Sequence, residues 1–236
     1  MKLFRKFRQN LVREGKLSKY MLYALGEILL VMIGILLAFQ VDKWNDQRLN
    51  RIEELKLYTN LKGDLEQVRV DITGQNNYNG DHLKMFNYAL EASLSGDLEK
   101  QDTLIATVPF LFNYSDFDQD GNIYETLVNS GDVKLLGNDK ILKGIRRLEW
   151  RCQYINRMEN IHWDIILEYV ASWASSNLNF AQMEAVNTRT LFSYEFQNLL
   201  LLLQRVMEEK QMIYKAVVAE IELITKEIDL EIEMSR

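Results

Sequence analysis

One unbroken apolar stretch near the N-terminus dominates the hydrophobic pattern of the chain. Residues 20–41 read YMLYALGEILLVMIGILLAFQV, and Glu27 is the one acidic or basic side chain among them. As a helix rising about 1.5 Å per residue, this stretch spans roughly 33 Å, enough to cross a bilayer core. It is too long for a cleaved signal peptide, and Ala38-Phe39-Gln40 is not a small-x-small cleavage site. The pattern predicts a transmembrane helix over 20–41 that acts as an uncleaved signal anchor.

The remainder of the chain is patterned for long helices. Apolar residues recur at three- and four-residue steps, the mark of a helix with one buried face. This spacing predicts helices over about 42–72, 81–94, 123–130, 139–175 and from 194 towards the C-terminus. One proline and 11 glycines in 236 residues leave few interruptions. We therefore expect an all-α fold, in which the N-terminal transmembrane helix continues into an extracytoplasmic antiparallel helical bundle over 42–236.

Two segments interrupt the helical pattern. The run Gly74–Gly80, GQNNYNG, is predicted to end the first long helix. Residues 95–121 are predicted to form an irregular insert, with a short helix before Pro109. The buried seams of the last two long helices also contain polar residues: Glu159 and His162 in one, Lys210 and Glu220 in the other. Such residues more often fix the register of packed helices than take part in catalysis.

The distribution of charge predicts the orientation of the span. Residues 1–19 carry seven Lys or Arg and one Glu, a net charge of +6. The whole chain has a net charge of −6, so the remainder carries −12. A basic segment beside a span stays in the cytoplasm, which places the C-terminal domain in the periplasm or outside the cell. An acidic main domain argues against a nucleic-acid partner.

The basic tail has its own amphipathic pattern. Leu3, Phe4, Phe7 and Leu11 fall on one helical face, with basic side chains around the rest. This pattern predicts a helix lying on an anionic membrane surface. The residues that contact lipid headgroups in this hypothesis are Lys2, Arg5, Lys6 and Arg8. A disordered cytoplasmic tail explains the same charges equally well.

Several short motifs resemble a known family. They are Phe4–Arg8, Ser18–Tyr20, Ala24–Ile28, Gly34-Ile35 and Trp44-Asn45, followed by a second block in Tyr124–Leu127, Ser130–Asp132 and Leu135-Leu136. They resemble the single-span family of Bacteroidota catalogued as domain of unknown function 6090, over residues 1–56 and about 123–150. The resemblance implies a Gram-negative inner membrane and a periplasmic bundle. It implies no known activity.

One face of the span combines a carboxyl group with small residues. Tyr20, Tyr23, Glu27, Gly34 and Ala38 fall within about 40° of one line along the helix. A small-xxx-small pair lets a second helix approach closely. We expect Tyr23, Glu27, Gly34 and Ala38 to form the contact face of a homo-oligomer. The alternative is an ion-coupled, stator-like subunit in which Glu27 handles protons or ions.

An acidic loop provides the one candidate cofactor site. Residues 116–123, DFDQDGNI, match the first eight positions of an EF-hand calcium loop. The twelfth position, which should supply a bidentate Glu, is Leu127. The candidate calcium ligands are the side chains of Asp116, Asp118 and Asp120 and the carbonyl of Asn122. The alternative interpretation is a solvated loop that caps the following helix.

No pattern in the chain predicts catalysis. Cys152 lies in the middle of a helix without an obvious His partner, and a buried thiol is the default there. Glu159-x-x-His162 has the spacing of di-iron bundles, but no second Glu-x-x-His exists to complete the site. We therefore expect no enzyme and no cofactor other than calcium. The predicted function is an oligomeric scaffold or interaction module with an unidentified protein partner, the alternative being a calcium- or ligand-sensing bundle.

Overall fold

The structure, a computed structural model, describes residues 17–117, 122–182 and 184–234, with side chains from Met21 onward except that of Tyr23. The fold is all-α, as expected, apart from two paired strands of two residues each. The chain divides into two compact units, Met1–Glu53 and Glu54–Arg236. The α-helices are α1 (Leu17–Ser95), α2 (Gln101–Thr107), α3 (Ile123–Ser130), α4 (Asp139–Ile165), α5 (Ala171–Asn177) and α6 (Tyr194–Glu233), and the strands are β1 (Leu178–Asn179) and β2 (Glu184–Ala185).

The first unit contains the apolar stretch. Within the described residues, α1 is the one helix long and apolar enough to cross a membrane. It contains an 18-residue window with a mean hydropathy of 2.3, and none of that window is buried in the protein. The exposed residues there include Ile28, Leu30, Ile35, Leu37 and Phe39, all more than half exposed. Length and composition therefore support the predicted span.

The predicted break at Gly74–Gly80 is wrong, because α1 continues through it. Ile72, Asn79 and Phe86 are seven residues apart, and all three are fully buried. The Asn79 amide donates a 2.8 Å hydrogen bond to the Met207 carbonyl of α6. A Cβ added at Gly80 would lie 3.0 Å from Nε2 of Gln211, so α6 approaches closely at this point. Packing against α6 therefore outweighs a helix-propensity cost of about 1 kcal/mol per glycine.

The helices α4 and α6 form a long paired contact. Lys140 pairs with Glu227 and Arg147 with Glu220, so residue numbers fall along α6 as they rise along α4. The two helices therefore run in opposite directions. A Cβ added at Gly144 would lie 2.6 Å from Cγ1 of Ile224, so this glycine permits their close approach.

The buried face that begins on α4 shifts by one residue in the helical segment that follows Ile165. Ile166–Val170 is a π-helix, which holds one residue more per turn than an α-helix. An unbroken α-helical spacing of four residues from the buried Ile165 would bury Tyr169, but Tyr169 is 54% exposed and Val170 is fully buried. The extra residue therefore shifts the buried face by one position. The segment continues as α5 and ends at Asn177, close to the predicted boundary.

The remaining boundaries agree with the sequence pattern. The helix α3 ends before Gly131, which has a φ of 82°. Residues 95–121 contain the expected short helix before Pro109, which is α2, flanked by 3-10 turns at Leu98–Lys100 and Val108–Phe112. Lys210 and Glu220, the two polar residues predicted in the buried seam of α6, are both buried. These two polar side chains of α6 have polar partners inside the 54–236 unit.

Candidate functional site

The most unusual feature of the 54–236 unit is a set of polar side chains buried at its centre. We call Ser115, Glu159, Lys210 and Tyr214 the buried polar cluster. None of the four is more than 4% exposed, and Lys210 and Tyr214 are fully buried. Lys and Glu are almost never fully buried unless they are paired, so the partners of this cluster decide its role.

Two helices and one loop bring the cluster together. Lys210 and Tyr214 lie four residues apart on α6, which puts them on one face. Glu159 lies on the buried face of α4. Ser115 belongs to the non-helical segment 113–117, which follows the 3-10 turn at Val108–Phe112. The cluster therefore joins this loop to the packed helices.

The carboxylate of Glu159 is the centre of the hydrogen-bond network. Its Oε1 accepts a 2.7 Å hydrogen bond from the Tyr214 hydroxyl and a 3.0 Å hydrogen bond from the Phe117 main-chain N–H. The Lys210 ammonium lies 4.0 Å from the same oxygen. Lys210 also donates a 2.5 Å hydrogen bond to the Ser115 carbonyl. Each buried charge is thus met by several polar groups, as buried ions require.

Burial shifts the pKa values of both Lys210 and Glu159 towards the neutral form of each group. Removal from water lowers the pKa of Lys210 to about 8, while the nearby Glu159 charge acts to raise it. Burial likewise raises the pKa of Glu159, opposed by the Tyr214 hydrogen bond and the Lys210 charge. Each charge opposes the effect of burial on its partner, because each supplies the opposite charge.

His162 lies beside the cluster, and the structure gives its ring no hydrogen bond. The residue is fully buried, and neither ring nitrogen has a partner among the described residues. Burial, reinforced by the Lys210 charge, lowers the pKa of His162 to about 3. The Tyr114 ring packs against it with the centroids 6.0 Å apart. His162 is therefore a neutral core residue at physiological pH.

The buried polar cluster acts as a clamp, because it holds the 113–117 segment against α4 and α6. A lysine with a lowered pKa can act as a nucleophile when a substrate reaches it. Lys210 is fully buried, however, and its amine contacts the Ser115 carbonyl. The lysine and the carboxylate both bind main-chain atoms, at Ser115 and Phe117. This geometry fixes a loop to the helices.

Two further buried carboxylates reinforce the packing of this unit. Glu220 of α6 accepts from Arg147 at 2.8 Å and lies 3.6 Å from Arg151. Glu54 accepts a 2.8 Å hydrogen bond from the Tyr58 hydroxyl and a 2.9 Å hydrogen bond from the Gly137 main-chain N–H. The polar seam positions predicted on α4 and α6 therefore serve packing and register.

The predicted contact face of the span lies on the exposed part of α1. Glu27, Gly34 and Ala38 are all exposed, and a Cβ added at Gly34 would meet nothing within 4 Å. The side chain of Tyr23 lies outside the described residues. Among the described residues of the first unit, from 17 to 53, no contact therefore requires glycine at position 34.

The predicted calcium loop is described at its two ends. Asp116 is exposed, and its main-chain N–H donates to Oε1 of Gln75 at 3.2 Å. The Asn122 side chain caps α3 by accepting a 2.8 Å hydrogen bond from the Glu125 N–H, and the Asn122 carbonyl accepts from the Thr126 N–H. Asp118 and Asp120 lie outside the described residues. The residues that are described contain no group of three or more His, Cys, Asp or Glu placed to hold a metal ion.

The other predicted candidates are easily located. The lipid-surface residues Lys2, Arg5, Lys6 and Arg8 lie outside the described residues. Cys152 is buried, and burial raises its pKa to about 12, which keeps the thiol protonated.

Sequence reasoning missed the parts played by Ser115 and Tyr214. Tyr214 stands four residues after Lys210, a predicted seam residue, and this spacing on one helix face was the available signal.

The comparisons with known proteins return one match. The family model described as "Family of unknown function (DUF6090)" matches residues 27–206. The matched range includes Gly34, Trp44 and the second block of motifs beginning at Tyr124, and it begins after the basic tail. No curated protein and no solved structure matches the chain.

Proposed function

The chain belongs to the DUF6090 family of unknown function, and on that premise we propose that it is a membrane-anchored scaffold. In this proposal the chain crosses the inner membrane once, with its N-terminus in the cytoplasm. Residues 42–236 form a periplasmic antiparallel helical bundle that acts as an oligomeric interaction module. The protein performs no catalysis, and its client is another protein.

The exposed apolar surface of α1 carries the proposal. An 18-residue window with a mean hydropathy of 2.3 has no part buried within the protein. Leaving a large apolar side chain in water costs roughly 1.5–3 kcal/mol relative to burying it. A bilayer covers such a surface without leaving backbone N–H or C=O groups unpaired, because a helix hydrogen-bonds its own backbone.

The direction of insertion follows from the basic tail. Residues 1–19 have a net charge of +6, and short basic segments beside a span remain in the cytoplasm. The acidic 54–236 unit then lies across the membrane. The resemblance to a Bacteroidota family supports a Gram-negative inner membrane as the location.

Labelling of single cysteines tests this topology. In a Cys152→Ser background, Ser18→Cys and Ser95→Cys place one thiol on each side of the span. A membrane-impermeant maleimide added to cells with a permeabilised outer membrane should label Ser95→Cys and leave Ser18→Cys unlabelled. Labelling of both positions only after lysis would mean that the 54–236 unit is cytoplasmic, which contradicts the proposal.

Self-association is proposed to use the face that contains Gly34 and Ala38. Both residues are exposed, they stand four apart, and small residues at that spacing let helix backbones approach closely. Glu27 lies on the same face and can hydrogen-bond across a helix pair. A scaffold built this way presents several copies of the periplasmic unit to one partner, which raises the effective concentration of binding sites.

Oxidative crosslinking in native membranes tests that face. In the same Cys152→Ser background, Gly34→Cys and Ala38→Cys should form disulfide-linked dimers. Leu36→Cys and Leu29→Cys, on the opposite side of the helix, are the matched controls and should remain monomeric. Equal crosslinking at all four positions would indicate random collision and would remove this face from the proposal.

A further inference from the structure

A groove on the 54–236 unit combines an apolar floor with an acidic rim. The groove has a volume of about 680 Å³ and lies between α1 and α3. Its buried floor includes Leu61 and Val68 of α1 and Leu127 of α3. Its carboxylates are Asp64, Asp71 and Asp132, and no Lys or Arg is found among the described residues that line it. We call this feature the acidic groove.

Two carboxylates of the acidic groove accept hydrogen bonds from neighbouring side chains. Asp71 accepts hydrogen bonds from the Gln67 amide at 3.0 and 3.1 Å, and Asp132 accepts one from the Ser130 hydroxyl at 2.7 Å. These donors are neutral, so the groove keeps a negative potential. A cleft whose charges share one sign and whose floor has a low dielectric concentrates its field on an approaching cation.

A basic and aromatic stripe runs along the exposed side of α4. Lys143, Arg146, Trp150, Tyr154 and Arg157 follow one another at three- and four-residue steps and therefore share one helix face. Trp150 is 62% exposed, although large aromatic side chains are usually buried. We call these five residues the basic stripe. Trp, Tyr and Arg are the residue types that most often carry binding energy at protein interfaces.

Aromatic rings contact two of the three cations of the basic stripe, while the third, Lys143, lies 3.9 Å from Asp139. The Arg157 guanidinium lies 4.6 Å from the Tyr154 ring centroid, and Tyr154 stacks on Trp150 at 5.9 Å. The Arg146 guanidinium lies 5.2 Å from the ring centroid of Tyr124. Side chains ordered in this way lose less rotamer freedom on binding. The stripe is therefore preorganised to meet an anionic surface.

The end of the stripe that contains Lys143 and Arg146 lies at the level of the groove. Lys62 of α1 pairs with Asp229, and Lys140 of α4 pairs with Glu227, two residues away on α6. From Lys62, the groove carboxylates of α1 are two and nine residues further on, roughly 3 and 14 Å along the helix. From Lys140, Lys143 and Arg146 are three and six residues further on, about 5 and 9 Å. The helices α1 and α4 are both antiparallel to α6, so the distances along them are counted in the same direction.

We infer that the acidic groove of one copy binds the basic stripe of a second copy of this chain. The two surfaces have opposite charge, and the exposed Trp150 can contact the apolar floor that the carboxylates surround. Their common level suits copies that stand side by side in one membrane, and to that extent the inference rests on the proposed function. Because the two surfaces differ, the contact is heterologous and closes into a ring or continues as a chain.

Charge reversal with mixing tests the pairing in the full chain, purified in detergent. The groove variant is Asp64→Lys/Asp71→Lys, and the stripe variant is Lys143→Glu/Arg146→Glu. Each variant alone carries two surfaces of the same sign, so its self-association should weaken at least tenfold in Kd by mass photometry. An equimolar mixture should recover assembly, because each reversed surface then meets a surface of opposite charge on the other variant.

Matched controls change the same charges elsewhere. Glu91→Lys/Glu208→Lys and Arg205→Glu/Lys215→Glu reverse exposed residues outside both surfaces and should assemble as the unaltered chain does. Wild-type assembly should also weaken as salt is raised from 50 to 500 mM. Variants that assemble normally, a mixture that fails to recover, or assembly that is indifferent to salt would each overturn the inference, the second outcome favouring a different protein as the occupant of the groove.

The same experiment in a Gly34→Leu/Ala38→Leu background separates this interface from the span. Recovery on mixing in that background supports the groove and stripe whether or not the span self-associates. Conversely, if Gly34→Cys crosslinks but the mixture does not recover, the proposed span contact stands and this inference falls.

Discussion

The hydroxyl of Tyr214 donates a 2.7 Å hydrogen bond to Oε1 of Glu159, the same oxygen that accepts from the Phe117 N–H and lies 4.0 Å from the Lys210 ammonium. One buried oxygen therefore joins α4, α6 and the 113–117 segment. Removing one member of a buried ion pair leaves the other charged and uncompensated, whereas removing both is often nearly neutral.

Lys210→Met is accordingly expected to destabilise the protein by about 3–5 kcal/mol, because Glu159 is left without its cation. Adding Glu159→Gln to that variant should recover a large part of the loss, since the amide is uncharged and still accepts hydrogen bonds. Urea unfolding followed by circular dichroism measures both effects. Lys215→Met, an exposed position on α6, is the control and should stay within about 0.5 kcal/mol of the unaltered chain.

The pH dependence of stability should contain a contribution from His162. Burial lowers the pKa of this group from 6.5 to about 3, so the folded state binds fewer protons than the unfolded state across that range. The stabilisation is present above pH 6.5 and is lost as pH falls, by about 1.4 kcal/mol per pH unit. His162→Leu should flatten this slope between pH 6 and 4 in urea titrations. An identical slope in both proteins would show that the ring protonates without unfolding.

Gly144 should tolerate no side chain. A Cβ there would lie 2.6 Å from Cγ1 of Ile224, so Gly144→Ala forces α4 and α6 apart. We expect a loss of about 1–3 kcal/mol, typical of overpacking, measured by thermal unfolding. Gly63→Ala is the matched control, because a Cβ at that helical position meets nothing within 4 Å. It should stabilise by up to about 1 kcal/mol, and the argument fails if the two variants behave alike.

The loop before α3 gives a prediction that separates a helix cap from a calcium site. Asn122→Ala removes the hydrogen bond to the Glu125 N–H and should cost about 1 kcal/mol, with or without calcium. Calorimetric titration of the full chain with calcium tests the ion directly. Heat at millimolar calcium that disappears in Asp116→Ala would favour the sensing alternative over a simple cap.

Glu27→Gln tests what the carboxyl group in the span contributes. The amide keeps the hydrogen-bonding capacity of a protonated carboxyl, so crosslinking through Gly34→Cys should persist in this variant. Glu27→Leu removes that capacity and should weaken crosslinking. If Glu27→Gln abolished assembly as completely as Glu27→Leu, an ionised carboxylate would be required, as the ion-coupled alternative holds.

Regular features of the fold were predictable, and local exceptions were not. The three-and-four spacing located the seam of α6, including the buried Lys210 and Glu220. The helix through Gly74–Gly80 was missed because its stability comes from contacts with α6, which is distant in sequence. The π-helix at Ile166–Val170 adds one residue without a compositional signal. Ser115 was missed because it lies in a segment without periodicity, where spacing indicates no contact.

The clamp on the 113–117 segment has an evolutionary consequence. Lys210 binds the Ser115 carbonyl and Glu159 binds the Phe117 N–H, and both are main-chain atoms. Every residue type supplies a carbonyl, and every type except proline supplies an N–H. We therefore expect substitutions at position 116 to leave both main-chain contacts in place. Substitution of the lysine alone or of the carboxylate alone should be disfavoured, because each leaves a buried charge without its partner.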